Sequence, residues 1–158
     1  MNNIRVRAII CMEDGIVLIH RKKEVNGEIR EYYPLPGGGI EEKESLEEAL
    51  YREIKEELGI VVKINKQIYK IIDDTSVQHI FLCDYVSGEL GTGNGPEFNS
   101  LEYQKSGQYI PKIINFKDLK STNIVPAELK DQLLKDLDGE EIKSTNYQGI
   151  KIINTIAM

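Results

Sequence analysis

At 158 residues, with 41% hydrophobic and 29% charged residues, the chain has the size and composition of one globular domain around one core, so a single domain over 1–158 is expected. Its formal net charge of −6 argues against broad attraction to phosphate backbone, and no extended nucleic acid is expected as a partner. No apolar run nears the roughly 20 residues that cross a bilayer, and Met1–Arg5 lacks a signal-peptide core, so a cytoplasmic protein without a membrane partner is expected.

Ile4–Met12, with Arg5 and Arg7 alternating among apolar residues, predicts a strand. Glu13-Asp14-Gly15 predicts a turn into a second strand, Ile16–His20, giving a hairpin. Arg21–Glu31 is read as a charged loop containing Asn26-Gly27. Tyr32–Pro36 is extended, because each proline biases its predecessor away from the helical region. Past Gly37-Gly38-Gly39, Ser45–Leu58 predicts a helix with Ser45 and Glu48 as a capping box and Gly59 as terminator. Ile60–Ile72 and Val77–Val86 predict a second strand pair. Gly88–Asn99, with Gly88, Gly91, Gly93 and Gly95, predicts a mobile lid. Tyr109–Phe116 predicts a strand, Pro126–Leu137 a helix, and Gln148–Ile156 a last strand or an extension. The total is about six strands and two helices, in an α/β arrangement whose mixed sheet has mostly antiparallel neighbours. Cys11 and Cys83 lie in apolar segments and predict buried thiols; neither has a histidine at zinc-ligand spacing.

The first helix breaks its own pattern. At 100° per residue, Leu46, Ala49, Leu50, Ile54 and Leu58 share one arc. Glu53 and Glu57 point into that arc, and Glu56 flanks it. Carboxylates aimed at a core are costly unless paired. Three within one turn repel one another, and their place in the C-terminal half of the helix opposes the macrodipole. A hard divalent cation with oxygen ligands relieves all three costs.

These residues carry a signature. Gly38, Glu44, Arg52-Glu53-Ile54, Glu56-Glu57 and Gly59-Ile60 match the pattern G-x5-E-x7-R-E-U-x-E-E-x-G-U, where U is a bulky aliphatic. The chain thereby resembles the Nudix hydrolase (MutT-like) family, over a box at 38–60 and in its strand order. The resemblance implies an α/β/α sandwich and a pyrophosphatase acting on a nucleoside diphosphate linked to another group. It implies Mg²⁺ or Mn²⁺ on Glu53, Glu56 and Glu57, with a backbone carbonyl at Gly37 or Gly38 as a further ligand. Glu44 and Arg52 are implied to support the loop and helix. A later loop carboxylate is implied too, and Glu97, with Glu102 behind it, is the candidate. Glu53 is read as the base and Glu57 as the bridging ligand.

The substrate side is less marked. Arg5, Arg7, Arg21, Lys22 and Lys23 are candidates for phosphate, Tyr32 and Tyr33 for stacking, and Asn123 for a purine edge; the alternatives are solvated strand ends, core or rim packing, and a turn or cap role. His79 is expected to have no catalytic role. Members that hydrolyse ADP-ribose tend to carry a proline some fifteen residues past the box, and none stands between Val61 and Gly95. By elimination a nucleoside triphosphate, ordinary or oxidised, is the leading small-molecule substrate. The alternatives are a hydrolase of ADP-ribose or another nucleotide sugar, and a non-catalytic nucleotide-binding regulatory domain, which the intact glutamate set disfavours. The oligomeric state is left open, with a homodimer as one candidate, as is the role of the tail at 139–158.

Overall fold

The structure, a computed structural model, describes residues 3–93, 108–138 and 149–155. Eight strands form one mixed sheet: β1 (Asn3–Met12), β2 (Gly15–Val25), β3 (Glu28–Tyr32), β4 (Gly37–Gly39), β5 (Ile60–Ile72), β6 (Ser76–Gly88), β7 (Gln108–Asn115) and β8 (Lys151–Asn154). Their order is β3-β2-β1-β6-β5-β8, with β4 beside β1 and β7 beside β2. β1–β6 and β5–β8 are parallel, and the remaining pairings of the described strands are antiparallel. Helix α1 (Leu46–Leu58) packs on one face and helix α2 (Ala127–Asp138) on the other.

The central strand explains the layering. Val6, Ala8 and Ile10 pack with Ala49, Leu50, Ile54 and Leu58 of α1. Ile9 packs with Leu129 and Leu133 of α2. A strand apolar on both faces needs a helix on each, which yields the expected three-layer α/β/α sandwich.

One expectation is corrected. The charged stretch 21–31 is not a loop: β2 runs on to Val25 and pairs with β3 from Arg21↔Tyr32 to Val25↔Glu28. Asn26 and Gly27 have φ of 52° and 82°, the type I′ geometry that joins twisted antiparallel strands. These strand ends carry charge because much of their surface faces solvent. Gly37–Gly39 forms strand β4 along Arg5–Arg7. Pro126 precedes α2, which begins at Ala127.

β1 and β2 share only two rungs, Cys11↔Ile16 and Met12↔Gly15, and then part. Pro34-Leu35-Pro36 is wedged between them: the Ile19 amide donates to Pro34 O at 3.0 Å and the Ala8 amide to Pro36 O at 3.0 Å. The prolines have no N–H to give, so the wedge accepts from both strands without continuing either as a ladder. This divergence opens the cleft described below.

At the far edge β8 is tied down through Asp136 of α2, which is 2% exposed. It accepts hydrogen bonds from the buried Tyr69 hydroxyl, from Gln132 at 3.1 Å and from Lys151 of β8 at 2.7 Å. Asp136→Ala removes the acceptor of a buried hydroxyl and is expected to cost about 2 kcal/mol in urea unfolding. A loss below about 0.5 kcal/mol, typical of surface positions, would show that this network contributes little.

Candidate active site

Helix α1 is built to hold its glutamates in place. Ser45 caps it, its hydroxyl accepting the Glu48 amide at 3.1 Å while Glu48 accepts the Ser45 amide in return. Gly59 ends it at φ 77°, a left-handed conformation that favours glycine. Between these caps Ala49, Leu50, Ile54 and Leu58 are buried, so the helix cannot rotate, and Glu53 and Glu57 face inward as the wheel predicts. Glu57 is 1% exposed.

Arg52 carries much of the charge load. Its Nε donates to Glu44 at 2.7 Å and its Nη2 to Glu44 at 2.9 Å and to Gly39 O at 3.1 Å. Its Nη1 reaches Glu53 at 3.0 Å and Glu56 at 3.3 Å. These bonds raise the Arg52 pKa and hold the Glu44 carboxyl down at about 2, the Arg52 hydrogen bonds being the largest cause and the Glu41 amide the next. The supporting roles implied for Glu44 and Arg52 have this geometric basis.

The glycines matter by what they lack. A Cβ on Gly38 would lie 2.7 Å from the Glu53 carboxylate, and one on Gly37, at φ 144°, would lie 2.0 Å from Val6 O. The Gly37 amide donates to Glu57 at 3.4 Å. A divalent cation fits this site by its chemistry: hard oxygen donors on one helix, and a side-chain-free backbone against the Glu53 carboxylate. Among the described residues, no three His, Cys, Asp or Glu side chains stand close enough together to hold a metal ion between them. Arg52 spans Glu53 and Glu56 instead.

Glu53, Glu57, Gly37 and Gly38 line a cleft of about 480 Å³ in the opening between β1 and β2. Facing them are Arg21, Tyr32 and Tyr109. These three are cross-strand neighbours in register, Arg21↔Tyr32 and Arg21↔Tyr109. The Arg21 guanidinium lies 5.9 Å from the Tyr32 ring centre and 5.0 Å from that of Tyr109, within cation–π range. Arg5 and Arg7 of β1, beside the glycines, also line the cleft.

Not every expected residue lies here. Glu56 is not among the cleft-lining residues and flanks the cluster beside Arg52. Asn123 does not line the cleft: its amide donates to Glu31 O at 3.0 Å, and its carbonyl accepts the Tyr33 amide at 2.9 Å, a loop-tethering role. Tyr33 stacks on His20 with ring centres 4.7 Å apart. Lys22 and Lys23 are exposed. Glu97 and Glu102 lie outside the described residues. The described start of the glycine-rich segment is pinned: the Gly91 amide donates to Leu58 O at 3.0 Å, and a Cβ on Gly93 would lie 2.4 Å from Glu56 O. Tyr109 and Gln78 were not singled out from the sequence. Cys83 is buried and its thiol pushed up to about 12; Cys11 is partly buried.

The NUDIX domain model matches residues 1–122 of the 158, and the chain belongs to that family. The ADP-ribose pyrophosphatase of Methanocaldococcus jannaschii is 36% identical over 97 residues, covering 58% of this chain and 56% of that protein. The nucleoside triphosphatase NudI of Escherichia coli is 42% identical over 59 residues, 35% of this chain and 42% of that protein. The chain thus spans about half the length of these relatives. The crystal structure of an ADP-ribose pyrophosphatase from Streptococcus suis has the same fold, with TM-score 0.67 and 19% identity over 96% of this chain and 99% of that one. No helix among the described residues is long and apolar enough to cross a membrane.

Two outcomes follow from this geometry. Gly38→Ala pushes the Glu53 carboxylate off its seat; the kcat of whatever reaction the site performs should fall by about 10²-fold, the cost of roughly 1 Å of misplacement. An unchanged kcat would free Gly38 of that role. Glu44 titrates in the folded chain at about 2, below its ordinary 4.5. Its pairing therefore stabilises the fold fully above pH 4.5, and that contribution is lost as pH falls towards 2. A Glu44 carboxyl resonance with its midpoint near 4.5 would contradict the Arg52 geometry.

Proposed function

We propose that this chain is a divalent-metal-dependent pyrophosphohydrolase that cleaves a nucleoside diphosphate linked to another group, with a nucleoside triphosphate as its substrate. The observation that carries the reading is the two-sided cleft, with Glu53 and Glu57 on one wall and Arg21, Tyr32 and Tyr109 on the other. An anion that also carries a planar ring matches both walls: its phosphates belong at the carboxylates and arginines, its base at the tyrosines.

Glu53, Glu56 and Glu57 would hold Mg²⁺ or Mn²⁺, with the Gly37 or Gly38 carbonyl as a further ligand. Bound there, the ion supplies positive charge against the pyrophosphate oxygens and makes water more acidic. Glu53, seated against Gly38, takes a proton from the attacking water. Attack on phosphorus breaks one P–O bond of the anhydride, and the bridging oxygen leaves with the departing phosphate. Glu57, buried and held by the Gly37 amide, keeps a fixed direction at the ion. Arg5, Arg7 and Arg21 offset the net charge of −6 where the substrate enters.

A second reading, ADP-ribose as substrate, is favoured by the similarity to the relative named ADP-ribose pyrophosphatase. Product analysis separates the two: a nucleoside monophosphate plus pyrophosphate from the triphosphate, AMP plus ribose phosphate from ADP-ribose. With a panel of both substrate types, turnover should require Mg²⁺ or Mn²⁺ and stop in excess chelator. Glu53→Gln and Glu57→Gln should each lower kcat by roughly 10²–10⁴. Full turnover in chelator, or a wild-type rate for Glu57→Gln at saturating metal, would defeat the mechanism.

A further inference from the structure

The glycine run is held at both ends by arginines, and one of them has no place in the family signature. Arg52 takes the Gly39 carbonyl. Arg7 takes the Gly37 carbonyl at 3.3 Å and the Leu35 carbonyl at 3.0 Å, both through Nη1. Its Nε donates to the Gln78 side-chain oxygen at 3.1 Å. Gly37 in turn gives its amide to Glu57. One residue, Gly37, thus links Arg7 through its carbonyl to Glu57 through its amide.

We propose that Arg7 and Gln78 act as a strut that positions Glu57, and the Gly37 carbonyl beside it, for the metal ion. The inference rests on the metal reading given above and adds to it two positioning residues outside the box. The parallel pairing of β1 and β6 places Gln78 opposite Arg5, within reach of Arg7. A guanidinium is planar, so anchoring Nε at Gln78 and Nη1 at two carbonyls fixes both its position and its plane. Remove Gln78 and only the Nη1 end remains held, leaving the plane free to swing. The Leu35 and Gly37 carbonyls then lose a fixed donor, and Glu57 loses its fixed amide. Arg7 therefore directs its donors to the backbone that frames the carboxylates, rather than serving only as the phosphate contact expected from its sequence position.

A second cavity of about 140 Å³, which shares Arg7, Pro34 and Leu35 with the main cleft, is lined also by Gln78, Ile80 and Leu129. A side chain replacing Gln78 has room there, so variants at this position should fold. Gln78→Leu removes the acceptor, whereas Gln78→Glu keeps an acceptor oxygen towards Arg7.

The test is Mn²⁺ affinity without substrate, read from the electron paramagnetic resonance signal of free Mn²⁺. Gln78→Leu should weaken binding by about 10-fold, the lower end for losing a group that orients a metal ligand. Gln78→Glu should stay near wild type. In turnover assays Gln78→Leu should need more metal for half-maximal rate yet approach wild-type kcat and KM at saturation. A side chain with only a general packing role would not give this pattern. If Gln78→Leu fails to fold, Arg7→Lys, which cannot span both anchors, should show the same 10-fold loss. Wild-type Mn²⁺ affinity in Gln78→Leu, or in Arg7→Lys where that variant stands in, would overturn the strut alone. So would equal losses in Gln78→Leu and Gln78→Glu. A wild-type chain that binds no Mn²⁺ would overturn the strut together with the metal reading.

Discussion

The rest of the site depends on keeping carboxylates on the inward face of a helix. Glu57 is 1% exposed, and Glu53, partly buried against Gly38, reaches solvent only at the cleft it lines. A charge moved from water into a protein is costly unless hydrogen bonds and counter-charges replace the lost hydration. Here the replacements are specific. Arg52 braces Glu44, Glu53 and Glu56 from one side, and the Gly37 amide and Arg7 brace Glu57 from the other. The glycine run between them is strand-like, carries no side chains, and is tied down at both of its outer carbonyls.

The cleft follows from a second constraint. Two strands that remained paired would leave no opening. β1 and β2 part after two rungs because the segment between Pro34 and Pro36 accepts hydrogen bonds from both. The carboxylates then belong to the β1 side and the Arg21–Tyr32–Tyr109 row to the β2 side. The glutamates of α1, with Arg5 and Arg7 of β1, and the Arg21 row of β2 thus reach one cleft from opposite sides of the gap between the two strands. An acidic chain can present positive charge locally in this way without reversing its overall sign.

Much of this was legible from residues alone, for physical reasons. Helical periodicity is local, so the inward direction of Glu53 and Glu57 followed from the spacing of Leu46, Leu50, Ile54 and Leu58. The Ser45–Glu48 box and Gly59 marked the helix ends because caps are local hydrogen-bonding problems. β3 was missed because its charged residues obscured the alternation, although Asn26-Gly27 was a valid hairpin signal. Asn123 had two readings, a purine contact or a turn residue, because a short polar side chain before a helix reads alike in either role; here it meets a neighbouring carbonyl.

The sequence by itself determined the family and the helix with its inward glutamates, because each depends on residues within about twenty positions of one another. Only the tertiary structure decided what faces that helix. Tyr109 meets Arg21 and Gln78 meets Arg7 through strand pairing between segments about 70 to 90 residues apart in the chain, and no local pattern encodes that register. Arg7 shows the difference most clearly. Its alternation in β1 marked it as a charged residue in an apolar strand, but the choice between substrate phosphate and backbone carbonyls was made by where β4 and β6 pack against it. A half-buried guanidinium takes the acceptors its neighbours bring, and those neighbours come from distant parts of the chain.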